Sequence, residues 1–184
     1  DRRIDVDFAA AYLEDVRATA ASYKKLADDA MAQVDDAQFA APLGDEENSI
    51  ALIVKHMAGN LRSRWTDFLT TDGEKPDRDR DSEFELGGAD ARAALMEAWE
   101  RGWTTFLGTL QSLTPDDLAR TVHIRGEPQS VIRAVDRGVA HACYHVGQIV
   151  LLAKHFAGPD WRTLSIPRRQ SQQFNAGMAV KHRQ

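Results

Sequence analysis

Cysteine is almost absent from this sequence, since Cys143 is the only one among 184 residues. A lone cysteine excludes an intrachain disulfide, and we therefore expect a reducing compartment. Long apolar runs are also missing, because no segment approaches the roughly 18 consecutive apolar residues of a membrane-spanning helix. The first residues lack the apolar centre of a secretory signal peptide. We expect a cytoplasmic protein without a membrane segment.

Positive charge is in deficit as well. The chain has 23 Lys and Arg against 28 Asp and Glu, for a net charge of −5 at pH 7. Nucleic-acid binding requires a basic surface that neutralises phosphates, so we expect no nucleic-acid partner. Hydrophobic residues make up 43% and charged residues 28%, as in ordinary globular proteins.

The length of 184 residues suits one domain with one core. We expect a single domain over residues 1–184, with a core of about 6–158 and a tail, 159–184, that packs on it. Apolar residues recur three or four positions apart in four long segments, as in amphipathic helices. These segments run from Val6 to about Ala32, from Ser49 to Leu69, from Ala89 or Asp90 to Leu113, and from Ser130 to Phe156. The pattern predicts an all-α protein, a four-helix bundle.

Capping residues set the expected helix boundaries. Asp5 or Asp7 suits the N-cap of the first helix, and Asn48 or Ser49 that of the second. Gly158, followed by proline, is expected to end the fourth helix. The helices therefore carry local start and stop signals.

The connecting segments are distinct in composition. Thr70–Gly88 has ten charged residues and is predicted to be a solvated loop. Thr114–Leu118 reads as a short capped turn with proline at its first helical position. Residues 122–124 and 127–130 suit a two-stranded ribbon around Gly126, and the tail, Asp160–Gln184, shows no periodicity.

Two histidines, His141 and His145, stand four residues apart in the fourth helical segment. That spacing places them on one helical face, about 6 Å apart at Cβ. Neutral imidazole is a common metal ligand, and two at this spacing can bind one divalent ion. His56, on the second helical segment, is the best third ligand. Alternatively, each histidine is a satisfied core or boundary residue.

The remaining metal-ligating side chains fit the site less well. His155 lies fourteen residues after His141, about 21 Å along a helix, which is too far to share an ion. His123 and His182 are expected at the surface, although His123 could overhang the site. Cys143 points to another side of the helix from His141 and is expected to pack as a small apolar residue.

Three polar residues near the histidines could contact a substrate: Asn60, Tyr144 and Gln148. Asn60 follows His56 by one turn, and Gln148 lies on the same stripe as His141. Gln148 could equally be a satisfied buried amide, and Tyr144 a packing residue. No general base is evident, so the catalytic residues stay unknown. The tryptophans at helical spacing are expected in the core: Trp65, Trp99 and Trp103.

Two motifs carry a resemblance to a known family. They are S-I-A-L-I-V-K-H-M-A-G-N-L, continuing into N-L-R-S-R-W, and H-A-C-Y-H-V-G-Q-I. Their order resembles that of the DinB/YfiT-like superfamily of metal-binding four-helix proteins, and within it a branch of uncharacterised bacterial proteins. The tail I-P-R-R-Q-S-Q-Q-F-N is similar to that branch, which favours glycine where this chain has Arg169.

The resemblance implies a specific site and architecture. His56, His141 and His145 would be the metal ligands, and the bundle would run up-down-down-up, with the loop from Thr70 to Gly88 crossing between helices. A homodimer is also implied. The ion would be divalent, with zinc foremost and nickel or iron as alternatives.

Characterised members of the superfamily that this chain resembles suggest the reaction class. They include thiol-dependent S-transferases, a thiol-dependent isomerase and hydrolase-like proteins. Our leading hypothesis is an enzyme whose ion activates a small thiol or water for attack on a small electrophilic substrate. A non-enzymatic, stress-related dimeric bundle stabilised by metal would instead have a fourth protein ligand and no cavity. A metal-free ligand-binding bundle would keep the imidazoles more than about 6 Å apart or bonded to carboxylates.

Overall fold

A computed structural model describes residues 2–181 of the chain, and the side chains of residues 8–178. Within this part the protein is mostly helical, with six α-helices and one two-stranded sheet. The helices are α1 (Arg2–Met31), α2 (Asp36–Ala40), α3 (Ile50–Trp65), α4 (Arg92–Ser112), α5 (Val131–Ala157) and α6 (Ser171–Lys181). The strands are β1 (Thr121–Ile124) and β2 (Glu127–Ser130), and short 3-10 turns cover Asp81–Phe84, Pro115–Ala119 and Gly158–Asp160. None of the described helices combines the length and apolar character needed to cross a bilayer.

Four long helices enclose the core. α1 packs against α5 and α4, while α3 packs against α4 and α5. Aromatic residues fill the centre, and Trp99, Trp103 and Phe106 of α4 are fully buried. Trp65, at the end of α3, is also buried, which confirms that the three tryptophans are core residues.

The predicted starts of two site-bearing helices are confirmed. Ser49 caps α3 by accepting a hydrogen bond from Leu52 N at 3.2 Å, and Ser130 caps α5 in the same way through Arg133 N. The N-cap prediction for α1 is wrong, because the helix already begins at Arg2, ahead of Asp5 and Asp7. No helix-breaking residue lies between Arg2 and Asp5, so the helix extends beyond both acids.

Two helices, α2 and α6, lie outside the four helical segments that the sequence predicted. α2 is nucleated by a capping box in which Asp35 accepts from Gln38 N at 2.8 Å and Gln38 bonds back to Asp35 N. α6 occupies the tail, and all of its residues with described side chains are exposed. Trp161 and Leu164, before α6, pack against the core instead.

Arg169 takes the left-handed backbone conformation, with φ of +68°. Glycine adopts this region at no steric cost, whereas a residue with a side chain does so with strain. A glycine at position 169 would therefore suit the local backbone better than arginine does.

The predicted ribbon is confirmed as an antiparallel hairpin in which Thr121 pairs with Ser130. Its turn, Arg125–Gly126, has positive φ at both residues. Asp72 accepts hydrogen bonds from the two turn amides at 2.8 and 2.7 Å. This carboxylate therefore ties the hairpin to the charged loop that precedes α4.

Arg92, at the start of α4, joins α4 to the end of α1. Its guanidinium donates to Met31 O at 2.7 Å and to Val34 O at 2.8 Å, carbonyls that lie at the last residue of α1 and three residues beyond it. Because hydrogen bonds from a charged group contribute about 1.5–3 kcal/mol each, we expect Arg92→Ala to lower the free energy of unfolding by at least about 1.5 kcal/mol in a urea titration. Arg101→Ala, an exposed position on the same helix, should change it by less than about 0.5 kcal/mol. Equal effects of the two substitutions would contradict this role for Arg92.

Candidate metal centre

The structure brings His56, His141 and His145 together between α3 and α5. Their ring centroids lie 4.6 Å apart for His141 and His145, 5.0 Å for His56 and His145, and 5.3 Å for His56 and His141. One nitrogen from each ring can be chosen so that all three lie within 4.8 Å of one another. The three histidines could therefore hold one metal ion.

The nitrogen spacing suits such an ion. His56 Nε2 and His141 Nε2 lie 3.3 Å apart. Two imidazole nitrogens bound tetrahedrally to one zinc ion at 2.0–2.1 Å are themselves about 3.3 Å apart. His141 Nδ1 is buried without a hydrogen-bond partner in the described part of the chain. The donor set therefore fits a divalent ion, with neutral nitrogen ligands from two helices.

Glu83 orients His56. The ring Nδ1–H of His56 donates to Glu83 Oε2 at 2.8 Å, which leaves Nε2, 3.3 Å from His141 Nε2, free to bind a metal ion. Arg78 donates to the same carboxylate from Nε at 2.7 Å and from Nη2 at 2.8 Å. A carboxylate on the distal nitrogen of a histidine fixes its tautomer and its direction, as in many metal sites.

The charge of Glu83 is stabilised although the group is buried. Burial alone would raise its pKa, but the hydrogen bonds from Arg78 and His56 outweigh burial and hold that pKa below its ordinary value. Only 7% of the Glu83 side chain and 2% of the Arg78 side chain are exposed. Glu83 is therefore a buried carboxylate that accepts hydrogen bonds from two partners.

Gly59 makes room for this carboxylate on α3. A Cβ atom at this position would overlap Glu83 Oε1 and lie 2.8 Å from Glu83 Cδ. Any side chain there would displace the carboxylate from His56, one turn of helix away. Glycine therefore suits this position of the M-A-G-N segment because the Glu83 carboxylate occupies the space that a side chain would need.

His145 is oriented by Gln148 of the next turn. The ring Nδ1–H of His145 donates to Gln148 Oε1 at 2.8 Å, so the Nε2 atom of His145 is also left free. Gln148 is exposed and does not belong to the cavity beside the histidines. Its contact with a substrate stays a prediction, whereas its contact with His145 is part of the structure.

Burial favours the neutral form of two of the imidazoles. Desolvation, reinforced by the neighbouring histidines, lowers the pKa of His141 to about 3. Desolvation also lowers the pKa of His145 to about 4, against the opposing effect of the Gln148 hydrogen bond. A metal binds only the neutral ring, so both residues are prepared as ligands at neutral pH.

A cavity of about 410 Å³ lies beside the cluster, and His56 and His141 form part of its wall. Asn60 and Tyr144, two of the three predicted substrate contacts, also line it. The Tyr144 ring centroid is 4.3 Å from that of His145 and 5.1 Å from that of His141. A small molecule in this cavity would therefore reach the histidines.

Trp65 forms another wall of the cavity, and Gly138 accommodates it. A Cβ atom at Gly138 would overlap Trp65 Cζ2 and lie 3.2 Å from Cη2. The indole therefore packs directly on the α5 backbone, one turn before His141. This close packing sets the width of the cavity at that point.

The other predicted residues lie away from the cluster. His155 and His123 are exposed, and neither lines the cavity or belongs to the three-histidine group. Cys143 is half-buried and likewise outside the group. His182 lies outside the described residues.

The prediction of a fully solvated loop between Thr70 and Gly88 is wrong at its centre. Glu83 and the Arg78 side chain are buried there, and the Phe84 ring packs 4.9 Å from His56. Phe84 was the available signal, since an aromatic residue inside a charged loop indicates a point of contact with the core. Which acid of the loop would reach the histidine could not be inferred from spacing.

The chain matches the model of a family described as "Protein of unknown function (DUF1572)" over residues 7–170. The chain belongs to this family. A search of curated proteins found no match. The family description carries no activity, so the chemistry of the site must be derived from its geometry.

Replacing one ligand should abolish metal binding. We expect the purified protein, loaded with zinc and dialysed, to retain about one equivalent, and His145→Ala to retain none, since two imidazoles seldom hold the ion. His155→Ala, an exposed histidine on the same helix, is the matched control and should retain the full equivalent. Elemental analysis measures both, and unchanged metal content in His145→Ala would refute the assignment.

The contact between Glu83 and His56 should strengthen the binding of the metal ion. Glu83→Gln keeps the shape of the side chain but removes its charge, so we expect metal binding to weaken about 10- to 100-fold. Glu85→Gln changes an exposed acid of the same loop and should leave the affinity unchanged. Competition with a chromophoric chelator measures the difference, and equal affinities for the two variants would exclude this role for Glu83.

Proposed function

We propose that this protein is a divalent-metal-dependent enzyme with the DinB/YfiT-like four-helix architecture, in which the helices run up-down-down-up. His56, His141 and His145 would hold the ion, with zinc foremost and nickel or iron as alternatives. The observation that carries the proposal is that three imidazoles converge beside a cavity that two of them line, with no fourth His, Cys, Asp or Glu in their group among the described residues. Catalytic zinc sites have three protein ligands of this kind, and structural sites have four.

The proposed reaction is attack by a small thiol, or by water, on an electrophilic substrate. When bound, the ion would lower the pKa of the nucleophile beside it, so that more of it is deprotonated at neutral pH. In the thiol reaction the sulfur–carbon bond forms as the bond from carbon to the leaving group breaks. The leaving group departs with the electron pair, and the thiol proton passes to solvent.

The protein's own residues would bind and orient the reactants. Glu83 and Gln148 bond the Nδ1 atoms of His56 and His145, which leaves the Nε2 atoms of both rings free for the ion. Tyr144, whose ring lies against two of the histidines, could donate a hydrogen bond to negative charge that develops on the substrate. Asn60, on α3, contributes a side-chain amide to the wall of the cavity.

The two alternative hypotheses predict a different geometry at the histidine cluster. A metal-stabilised, non-enzymatic bundle would close the cluster with a fourth ligand and leave no cavity beside it. A metal-free bundle would keep the rings apart or bond them to carboxylates. His56 does bond Glu83, but through Nδ1, whereas its Nε2 lies 3.3 Å from His141 Nε2. The arrangement therefore supports metal-dependent catalysis over both.

The test is a conjugation assay. The metal-loaded protein is incubated with monochlorobimane and a panel of small thiols, including cysteine, glutathione and coenzyme A. We expect at least one thiol to be conjugated about tenfold faster than without protein, because activation would raise its thiolate fraction. The increase should disappear in His145→Ala and persist in His155→Ala. If every thiol reacts at the protein-free rate, the transferase proposal is wrong.

A further inference from the structure

Five arginines line the cavity beside the histidines. They come from four separate parts of the chain: Arg64 on α3, Arg78 and Arg80 in the loop before α4, Arg125 in the hairpin turn, and Arg137 on α5. No aspartate or glutamate lines the same cavity among the described residues. In a chain with a net charge of −5, this is a local reversal of charge.

Nearby carboxylates only partly neutralise these arginines. Glu74 Oε2 lies 3.0 Å from Arg64 Nη1 and 3.2 Å from Arg125 Nε. Glu83 already accepts hydrogen bonds from Arg78 and His56. Arg80 and Arg137 form no ion pair with any carboxylate of the described residues. Two acids against five guanidiniums leave an excess of positive charge around the cavity.

One of the guanidiniums also has an unused donor. Arg64 Nη1 is buried, and although it lies 3.0 Å from Glu74 Oε2, the contact is not aligned as a hydrogen bond. Burial, together with the charges of Arg78 and Arg125, lowers the pKa of Arg64 despite the attraction of Glu74. A ligand that supplies a well-aligned acceptor to this buried donor would therefore be favoured.

The turn that carries Arg125 is held in an uncommon conformation. Arg125 has φ of +56°, a region that a residue with a side chain seldom adopts. The hydrogen bonds that the Arg125 and Gly126 amides donate to Asp72 stabilise this conformation. The hairpin therefore presents the Arg125 side chain to the cavity at the expense of backbone strain.

We propose that this cavity binds a small organic molecule through an oxyanion, a carboxylate or a phosphate group, and that the other end of the molecule faces the three histidines. Guanidinium groups bind both oxyanions with paired, planar hydrogen bonds. The volume of about 410 Å³ suits a small-molecule ligand. The inference rests on the proposed function, since it names the substrate class of the same site.

The test uses the full chain freed of metal with a chelator, so that the anion cannot bind an ion instead. The probes are succinate, methyl phosphate and succinamide, which is the uncharged counterpart of succinate, and binding is followed by chemical-shift titration. We expect at least one oxyanion to bind, and to bind at least tenfold more tightly than succinamide. Whichever binds more tightly identifies the group that the arginines recognise.

Arginine variants locate the site. Arg80→Gln and Arg137→Gln remove the two guanidiniums without a carboxylate partner, and each should weaken oxyanion binding about tenfold or more. Arg133→Gln, an exposed arginine one turn before Arg137 that does not line the cavity, is the matched control and should bind as the unmodified protein does. Equal losses in Arg133→Gln and Arg137→Gln would overturn the proposal.

The result can be separated from that of the metal proposal. If the protein binds no metal but binds succinate through Arg80 and Arg137, the anion site stands and the metal-dependent function is wrong. If metal-dependent conjugation is observed but no oxyanion binds, or succinamide binds as tightly, the anion site is wrong and the metal-dependent function stands.

Discussion

The pairing of Glu83 with Arg78 and His56 is the interaction on which the site depends. A buried carboxylate is unfavourable unless its oxygens accept hydrogen bonds, and here a guanidinium and an imidazole satisfy them. The same contacts attach the loop before α4 to α3 and set the direction of the His56 ring. Gly59 is necessary for the contact, since a side chain at that position would occupy the place of the carboxylate.

The cavity has two chemically different sides. Its nitrogen donors come from the three histidines and suit a cation, and burial lowers the pKa of two of them, His141 and His145, so that these two stay neutral. Its guanidiniums suit an anion, and they surround the space next to those donors. A ligand with a negative group and a separate reactive atom would satisfy both sides, and the charged group would fix the position of the reactive atom. Such positioning can account for a large part of a rate enhancement.

The sequence predicted the long helices and the hairpin well, because their signals are local. Ser49 caps α3 as expected, α5 begins next to Ser130 as predicted, and the hairpin turn lies at Gly126 as its composition suggested. The failures have local causes too. α2 is one and a half turns long and shows no period, and α1 extends past its expected caps because nothing upstream interrupts it.

The sequence by itself determined which residues can bind a metal. Four-residue spacing on a helix places His141 and His145 on one face whatever the rest of the chain does. Only the tertiary structure decided that Glu83 is buried against His56 and that five arginines meet at one cavity. These contacts join residues that lie far apart in the chain, and the charged loop carries no periodic pattern that would indicate which of its side chains turn inward. Helical periodicity fixes a face, but the docking of a loop depends on the shape and charge of the surface that it meets.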